Sequence, residues 1–304
     1  MAQQDARTLA QGRFGKVHKE KYIDQWACIK RVPLGFISRT DLKRECKVYR
    51  NVQHTNVVRL LGVPWIEDLK WNIPLEFISG EELETTIFYP ENSKIQLTPI
   101  VTATIIKGMC AGLSHLHSKD IVHQDIKPDN IMVEYGTNRT IIIDLGLAKF
   151  FKDGITSARN LGNEAYSAPE ILKNVVRDKR SDVWAMGKVI AELCIRPRDR
   201  LPAHDATPSQ IQQMLSMCPY RGVVCNMVES NPAARACMLI VETEITQATD
   251  EIIKTLQAGD PQQVAPVPCA RQSQQVVPLP LVAGQRQQVS LYIKERRQHT
   301  CVCL

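Results

Sequence analysis

The stretch "HQDIKPDNIMV", residues 123–133, places a carboxylate, a lysine and an asparagine close together, just before a short apolar run. Three further stretches follow in order: "IIIDLGLAKF" (141–150), "AYSAPE" (165–170) and "SDVWAMG" (181–187). The apolar runs at 131–133 and 140–143 predict two short strands, and the pattern over 181–195 predicts a helix. The rest of the chain is interpreted outward from this ordered set.

Composition sets broad limits on the kind of protein. The 304 residues suffice for one large domain or two modest ones, and 44% hydrophobic with 23% charged residues is ordinary for a globular chain. The net charge of +6 is mild, so we predict no nucleic-acid partner. No apolar run approaches the roughly 18 residues of a membrane helix, so we predict no transmembrane span. The ten cysteines lack metal-binding spacing, which favours free thiols in a reducing cytosol or nucleus, and we predict a cytoplasmic location.

A glycine-bearing turn lies near the start of the chain, in "LAQGRFGKV" at residues 9–17. Residues 8–33 alternate short apolar and polar runs around Gly12 and Gly15, which predicts strands joined by a tight turn. The backbone N–H groups of such a turn can face the oxygens of a phosphate. Taken alone the turn is weak evidence, because a plain hairpin is the common alternative.

A lysine and a carboxylate follow that turn. Lys30 ends the β pattern of "ACIKRV", and Glu45 lies on the apolar-striped face of a helix predicted over residues 38–52. A lysine in that place can neutralise phosphate oxygens, provided that the carboxylate holds it. The alternative is that both are ordinary surface charges, and only their order after the glycine turn favours the functional interpretation.

The remaining patterns divide the chain into a sheet-rich part, a helical part and a tail. Further strands are predicted over 56–63 and 71–78, and further helices over 103–117, 208–217, 222–230 and 235–257. After Gly259 the chain holds nine Gln and five Pro with little periodic apolar pattern, which predicts disorder. The predicted boundaries are 1–78, 79–258 and 259–304.

Taken together, in order and spacing, these stretches resemble the eukaryotic protein kinases of the serine/threonine type, from about Leu9 to about Glu242. The resemblance implies an α+β, bilobal fold with a small β-rich N-lobe and a larger helical C-lobe. It also implies an enzyme that transfers the γ-phosphoryl group of ATP, with Mg²⁺, to a hydroxyl of a protein substrate.

The resemblance implies a role for each matching residue. Asp125 would orient the substrate hydroxyl and accept its proton, and Lys127 would contact the transferring phosphate. Lys30 would grip the α- and β-phosphates and pair with Glu45. The implied metal ligands are Asn130 and Asp144. The implied ATP-binding residues surround the phosphates, adenine and ribose, and they are Ala10, Gly12, Gly15, Val17, Cys28, Lys30, Leu75, Glu76, Ile78, Glu82 and Met132.

Other matches imply structural roles. Asp182 would anchor the catalytic-loop backbone, and Glu170 would pair with Arg235 inside the helical lobe. Four side chains would link the two lobes in a stack, and they are Tyr49, Leu60, His123 and Leu145.

The chain departs from the family pattern in ways that bear on regulation. Gln124 stands where most members carry an arginine that meets a phosphate on the activation segment. A neutral amide cannot form that charge-assisted pair, so we predict activity that does not depend on activation-segment phosphorylation. Thr156, Ser157, Tyr166 and Ser167 are candidate phosphorylation sites but weak candidates for such a switch. Asn163 replaces the usual threonine, which weakens the serine/threonine assignment.

Two further sequence patterns suggest partners, although each pattern is less specific than the motifs above. Asp129 and Glu192 fall where some relatives place carboxylates against a substrate arginine, which suggests substrates near basic residues. The C-terminal "CVCL" resembles a prenylation signal on Cys301, preceded by the basic "KERR", which suggests peripheral membrane contact.

Two alternative functions remain open from the sequence. One is a weakly active or inactive kinase-fold scaffold that acts through binding. The other is a small-molecule phosphotransferase of related fold, against which the "APE" segment argues.

Overall fold

The computed structural model describes residues 7–12, 15–150, 164–173, 177–197 and 199–257, with side chains from residue 17 onward except that of Lys149. The candidate phosphorylation sites Thr156 and Ser157, the substitution at Asn163, the tail at 259–304 and its "CVCL" end lie outside the described residues. What the sequence suggests about these residues, and the predicted lobe boundaries, stay predictions.

The N-terminal part is an antiparallel five-stranded sheet with one helix. Its strands, in the spatial order β1-β2-β3-β5-β4, are β1 (Arg7–Gly12), β2 (Gly15–Tyr22), β3 (Gln25–Pro33), β4 (Trp65–Glu67) and β5 (Lys70–Glu76). Alternation sets its inner face, because Ala27 and Ile29 on β3 are buried and the intervening Cys28 is only partly so. The strand predicted over 71–78 is confirmed as β5.

The single helix of this part, α1 (Arg39–Asn51), begins where the sequence predicts it. Ser38 caps it, because its hydroxyl accepts a hydrogen bond from the backbone N–H of Asp41. Its buried face carries Leu42, Cys46 and Tyr49, with Glu45 among them. The apolar stripe therefore turns a carboxylate inward as well.

The strand predicted over 56–63 is wrong. This segment forms only isolated bridges, Val57 with Ile142 and Leu60 with Leu75, so it contacts two different sheets in turn. The backbone N–H of Val58 donates to the carbonyl of Ile142, and that of Leu61 donates to the carbonyl of Pro74. Val57 and Val58 are buried core residues of a connection, whereas Val63 is 70% exposed. A short apolar run does not distinguish such a connection from a strand.

The remaining part is mainly helical. Its helices are α2 (Leu83–Phe88), α3 (Pro99–Ser118), α4 (Pro169–Leu172), α5 (Lys179–Ile195), α6 (Pro208–Met214), α7 (Arg221–Met227) and α8 (Met238–Gln257). The four predicted helices with long periodic patterns are confirmed as α3, α5, α6 and α8, and the pattern at 222–230 is confirmed as α7. The short α2 and α4 are additional.

Helix α3 is the central helix of this part. Ile105, Ile106, Met109 and Leu113 are fully buried on it. By length and composition alone α3 could cross a membrane, but half of its most apolar stretch is buried inside the protein. One such helix is weak evidence for a span, because the core helix of a packed domain has the same properties.

Five short strands, one just before α2 and four between α3 and α5, position the loops of interest. They are β6 (Gly80–Glu82), β7 (Ile121–Val122), β8 (Ile131–Glu134), β9 (Thr140–Ile142) and β10 (Lys149–Phe150), paired as β6-β8-β9 and β7-β10. Because β8 pairs antiparallel with β9, the loop before β8 and the loop after β9 lie side by side at one sheet end. The fold is α+β, a β-sheet lobe followed by a helical lobe, as the sequence predicts.

Candidate active site

Lys30 and two carboxylates form a buried cluster between α1, β3 and the loop after β9. The Lys30 Nζ lies 3.1 Å from Glu45 Oε1 and 2.8 Å from Asp144 Oδ1. Burial alone would lower the pKa of Lys30, but the negative charges of Asp144 and Glu45 outweigh it and raise that pKa well above its ordinary value. The lysine is therefore a fixed cation, and the predicted Lys30–Glu45 pair is present.

Asp144 is held ionised at the same place. Burial would raise the pKa of its carboxyl, but the charge and hydrogen bond of Lys30 lower the pKa below its ordinary value. Its backbone is left-handed, with φ of 56°, and its side chain is 37% exposed. A Cβ on Gly146 would lie 3.1 Å from Asp144 Oδ1 and 3.2 Å from Lys30 Nζ, so the glycine leaves room for this cluster.

Asp182 anchors the backbone of the loop at 123–130, as predicted. The Asp182 carboxylate accepts backbone N–H bonds from His123 at 2.7 Å and from Gln124 at 2.9 Å. Asp182 is buried near the start of α5, which Asp178 caps through a reciprocal bond with Ser181. The backbone of Gln124 is left-handed, with φ of 70°, so the chain turns sharply just before Asp125.

Asp125 has two polar neighbours that come from its own loop. The Asn130 Nδ2 donates to the Asp125 carbonyl at 2.8 Å and to its Oδ2 at 2.9 Å. The Lys127 Nζ lies 3.3 Å from the same Oδ2. Asp125 is therefore joined to Asn130 by hydrogen bonds and to Lys127 by an ion pair.

The Gln124 side chain is tied to the segment after β9. Its Nε2 donates to the carbonyl of Leu147 at 2.7 Å. The guanidinium of Arg177 donates to the Gln124 carbonyl, so this residue is held from two sides. Burial lowers the pKa of Arg177, and the negative charges of Asp182 and Asp125 oppose that shift.

The predicted ATP-binding residues lie opposite one another across neighbouring strands. The aligned pairs are Gly12 with Gly15, Ala10 with Val17, Val17 with Lys30, Cys28 with Leu75, and Glu82 with Met132. Of the connection between the two parts, Leu75 and Ile78 are buried, and the Glu76 carboxylate pairs with Arg139 at 2.9 Å. Burial raises the pKa of the Cys28 thiol to about 11, so this residue is an apolar wall.

Glu192, expected to face a basic substrate residue, is fully buried, so that expectation is wrong for this residue. Its Oε1 lies 2.8 Å from Lys188 Nζ and accepts the Leu201 N–H at 2.9 Å. Its Oε2 accepts the Tyr166 hydroxyl at 2.8 Å. Tyr166 and Ser167 are themselves buried, so these two candidate phosphorylation sites are closed to solvent in this conformation.

The predicted structural contacts are largely present. Arg235 forms a two-pronged pair with Glu170, with distances of 2.7 and 2.9 Å. At the lobe junction the Leu145 N–H donates to the Tyr49 hydroxyl at 3.4 Å, and the His123 ring lies 3.2 Å from the Ile143 carbonyl. Leu60, also predicted for this stack, packs against the same core while partly exposed.

Sequence reasoning missed three basic residues that contact the site or its surroundings, namely Arg177, Lys188 and Arg200. Lys188 had a signal, because it lies four residues before Glu192 on one predicted helix. Arg177 and Arg200 reach partners far away in the chain, and no local pattern indicates such contacts.

A model of the protein kinase domain matches residues 4–263, most of the chain. The chain therefore belongs to the protein kinase family, as the resemblance in its sequence implies.

The chain is also similar to individual proteins that are named as kinases. The chain is 29% identical over 190 residues to a probable myosin light chain kinase of Dictyostelium discoideum, covering 60% of this chain and 53% of that one. It is 27% identical over 260 residues to a probable serine/threonine-protein kinase of the same organism, covering 80% and 60%. It is 31% identical over 245 residues to an Aurora kinase of Yarrowia lipolytica, covering 75% and 64%. The chain thus spans less than two thirds of each relative's length.

Proposed function

We propose that this chain transfers the γ-phosphoryl group of ATP to a serine or threonine hydroxyl of a protein substrate. The observation that carries the proposal is the Lys30 cluster, a buried cation fixed between Glu45 and Asp144. A fixed cation in a low-dielectric site stabilises developing phosphate charge without reorganisation at the moment of transfer. Serine or threonine specificity rests on family membership and on Lys127 beside Asp125.

The residues of the catalytic loop have separate tasks in this proposal. Asp125 orients the substrate hydroxyl and accepts its proton, and Lys127, 3.3 Å from that carboxylate, contacts the phosphate being transferred. Among the described residues no three His, Cys, Asp or Glu side chains converge as a self-sufficient metal site. The donor set of Asn130 amide and Asp144 carboxylate suits Mg²⁺, which usually takes one or two protein oxygens together with phosphates and water. When bound, Mg²⁺ supplies charge neutralisation on the phosphates.

We further propose that activity does not require a phosphate on the activation segment. The Gln124 Nε2 bond to the Leu147 carbonyl links the catalytic loop to the segment after β9 without any phosphate. This neutral bond is the support for the proposal, together with the lack of a positive charge at position 124.

The test is transfer of radiolabel from ATP to an array of serine, threonine and tyrosine peptides, comparing wild type with Asp125→Asn. We expect labelling of serine and threonine peptides by wild type, and a loss of about 100-fold or more in the variant. A wild type that binds Mg²⁺·ATP yet labels no more than Asp125→Asn would support the scaffold alternative instead. Predominant labelling of tyrosine peptides would overturn the proposed substrate class.

A further inference from the structure

Three carboxylates surround one edge of the catalytic loop. Asp129 lies in the turn Pro128–Asn130, Glu82 ends β6, and Glu84 lies in the first turn of α2, and both β6 and α2 pack against that turn. Burial raises the pKa of Glu82 to about 6, with the negative charges of Asp129 and Glu84 adding to the rise and Lys127 opposing it. The cluster therefore lies next to the proposed phosphate-transfer residues.

Arg200, from the segment after α5, projects into this acidic cluster. Its Nη2 lies 2.7 Å from Glu84 Oε1 and 3.5 Å from Asp129 Oδ2. The guanidinium also lies near two aromatic rings, 6.0 Å from the centre of Phe88 and 5.9 Å from that of Tyr166. An arginine of the chain itself thus has the surroundings that would suit an arginine side chain of a bound peptide.

The position of Arg200 is fixed by buried structure beneath it. The next residue, Leu201, donates its N–H to Glu192, which is fully buried and paired with Lys188. Tyr166, whose ring lies near Arg200, donates its hydroxyl to the same Glu192. The backbone that carries Arg200 is therefore tied to α5, and the guanidinium is held by more than a flexible surface contact.

We propose that Arg200 is a specificity-determining residue that pairs with the acidic cluster of its own chain and so excludes basic substrate side chains. This inference rests on the proposed function and narrows the substrate class to peptides with neutral or acidic residues facing the acidic cluster. A substrate arginine would have to displace the Arg200–Glu84 bond and would meet a like charge, and both effects disfavour it. This inference is the opposite of the suggestion from the sequence that substrates lie near basic residues.

The experiment is a positional-scanning peptide library, in which each position around the acceptor is varied in turn, phosphorylated by wild type, Arg200→Ala, Arg200→Lys and Arg221→Ala. We expect no selection for arginine by wild type, and about a tenfold gain for arginine at one position in Arg200→Ala. Arg200→Lys keeps the charge and should resemble wild type. Arg221→Ala removes an exposed arginine elsewhere, bonded only to the Ser216 carbonyl in the described structure, and controls for the lost charge.

Adding Glu84→Gln to Arg200→Ala should reduce the gained arginine selection, which a structural role of Arg200 alone would not predict. An Arg200→Ala profile identical to that of wild type, or a wild type that already selects arginine, would overturn the inference. Arg200→Gln is the second variant if Arg200→Ala does not fold.

If wild type phosphorylates no peptide at all, the proposed function fails, and the role of Arg200 at the acidic cluster is tested by peptide binding. Fluorescent peptides with arginine or alanine at the scanned position are then titrated against wild type and Arg200→Ala. Equal preference for the two peptides by both proteins would overturn the inference independently of catalysis.

Discussion

Two buried lysines of this chain, Lys30 and Lys188, are each paired with a glutamate but differ in what surrounds them. Lys30 lies between two carboxylates, one of which, Asp144, has a side chain that is 37% exposed. Lys188 has one carboxylate, Glu192, and both side chains of this pair are fully buried. The Lys188 Nζ also lies 3.8 Å from the centre of the Tyr166 ring.

The two environments move the lysine pKa values in opposite directions. Burial dominates at Lys188 and lowers its pKa, because the single charge of Glu192 offsets the burial only in part. At Lys30 two carboxylates outweigh the same burial and raise the pKa well above its ordinary value. The comparison teaches that a second, partly exposed carboxylate keeps a buried lysine protonated next to a functional site. A fully buried pair with one carboxylate has a structural role instead.

The largest expected effect is on catalysis at Lys30. Lys30→Met removes the fixed cation, so we expect phosphate transfer to fall about 100- to 1,000-fold, as on loss of one preorganised electrostatic contact. The measurement is the initial rate of peptide phosphorylation at saturating ATP. Lys188→Met is the matched control, and its rate per folded molecule should stay within about threefold of wild type. Equal losses in both variants would show that the two lysines do not differ in role.

The next effect is on stability at Lys188. Among the described residues, Lys188→Met leaves the buried Glu192 carboxylate with the Tyr166 hydroxyl and the Leu201 N–H as its remaining hydrogen-bond donors. We therefore expect a loss of about 3 kcal/mol in the free energy of unfolding. Urea denaturation followed by circular dichroism measures it. A variant as stable as wild type would mean that the pair is dispensable to the fold.

Between about pH 7 and pH 10 the stability contribution of Lys188 should rise with pH, whereas that of Lys30 should stay constant. Lys188 has a lowered folded pKa, so its charge opposes folding, and wild type should gain stability relative to Lys188→Met as pH rises toward the unfolded value of 10.5. Lys30 has a raised folded pKa, so its contribution is fully present below 10.5 and declines only above it. Urea denaturation from about pH 7 to pH 10 distinguishes the two trends. A shared trend would contradict the comparison.

A smaller effect is expected at Gln124. Gln124→Leu removes the bond to the Leu147 carbonyl while keeping similar size, so we expect a loss of about two- to tenfold in transfer rate, the worth of one hydrogen bond. Steady-state kinetics on the same peptide measures the loss. An unchanged rate would mean that this bond does not support the active arrangement.

The smallest effect is the pH dependence of ATP binding at Glu82. Because the pKa of its carboxyl is about 6, Glu82 becomes protonated as pH falls through that value and loses one acceptor for the ribose hydroxyls. We expect the KM for ATP to rise about twofold between pH 7 and pH 5.5, the effect of weakening one hydrogen bond. In Glu82→Gln the KM should not show this rise. A wild-type KM that is flat over this range would contradict the assignment.

Much of the site could be predicted from the sequence, because its residues lie in short ordered motifs. Spacing within one loop is enough to group Asp125, Lys127 and Asn130, and the apolar stripe of α1 turns Glu45 inward. The contacts of Arg177 and Arg200 could not be predicted, because each depends on a loop brought near by the packing of α5. The burial of Glu192 also depends on that packing, since only the tertiary structure places Tyr166 and Leu201 over its oxygens.

The most direct test of the central claim is the transfer rate of protein freed of phosphate. Wild type is treated with a phosphatase, repurified and compared with the untreated enzyme and with Thr156→Ala/Ser157→Ala in peptide phosphorylation. If Gln124 replaces a phosphate-dependent contact by a neutral one, all three rates should agree within about twofold, less than the worth of one typical hydrogen bond. A fall of tenfold or more in the treated protein or in the double variant, at unchanged fold stability, would contradict the account.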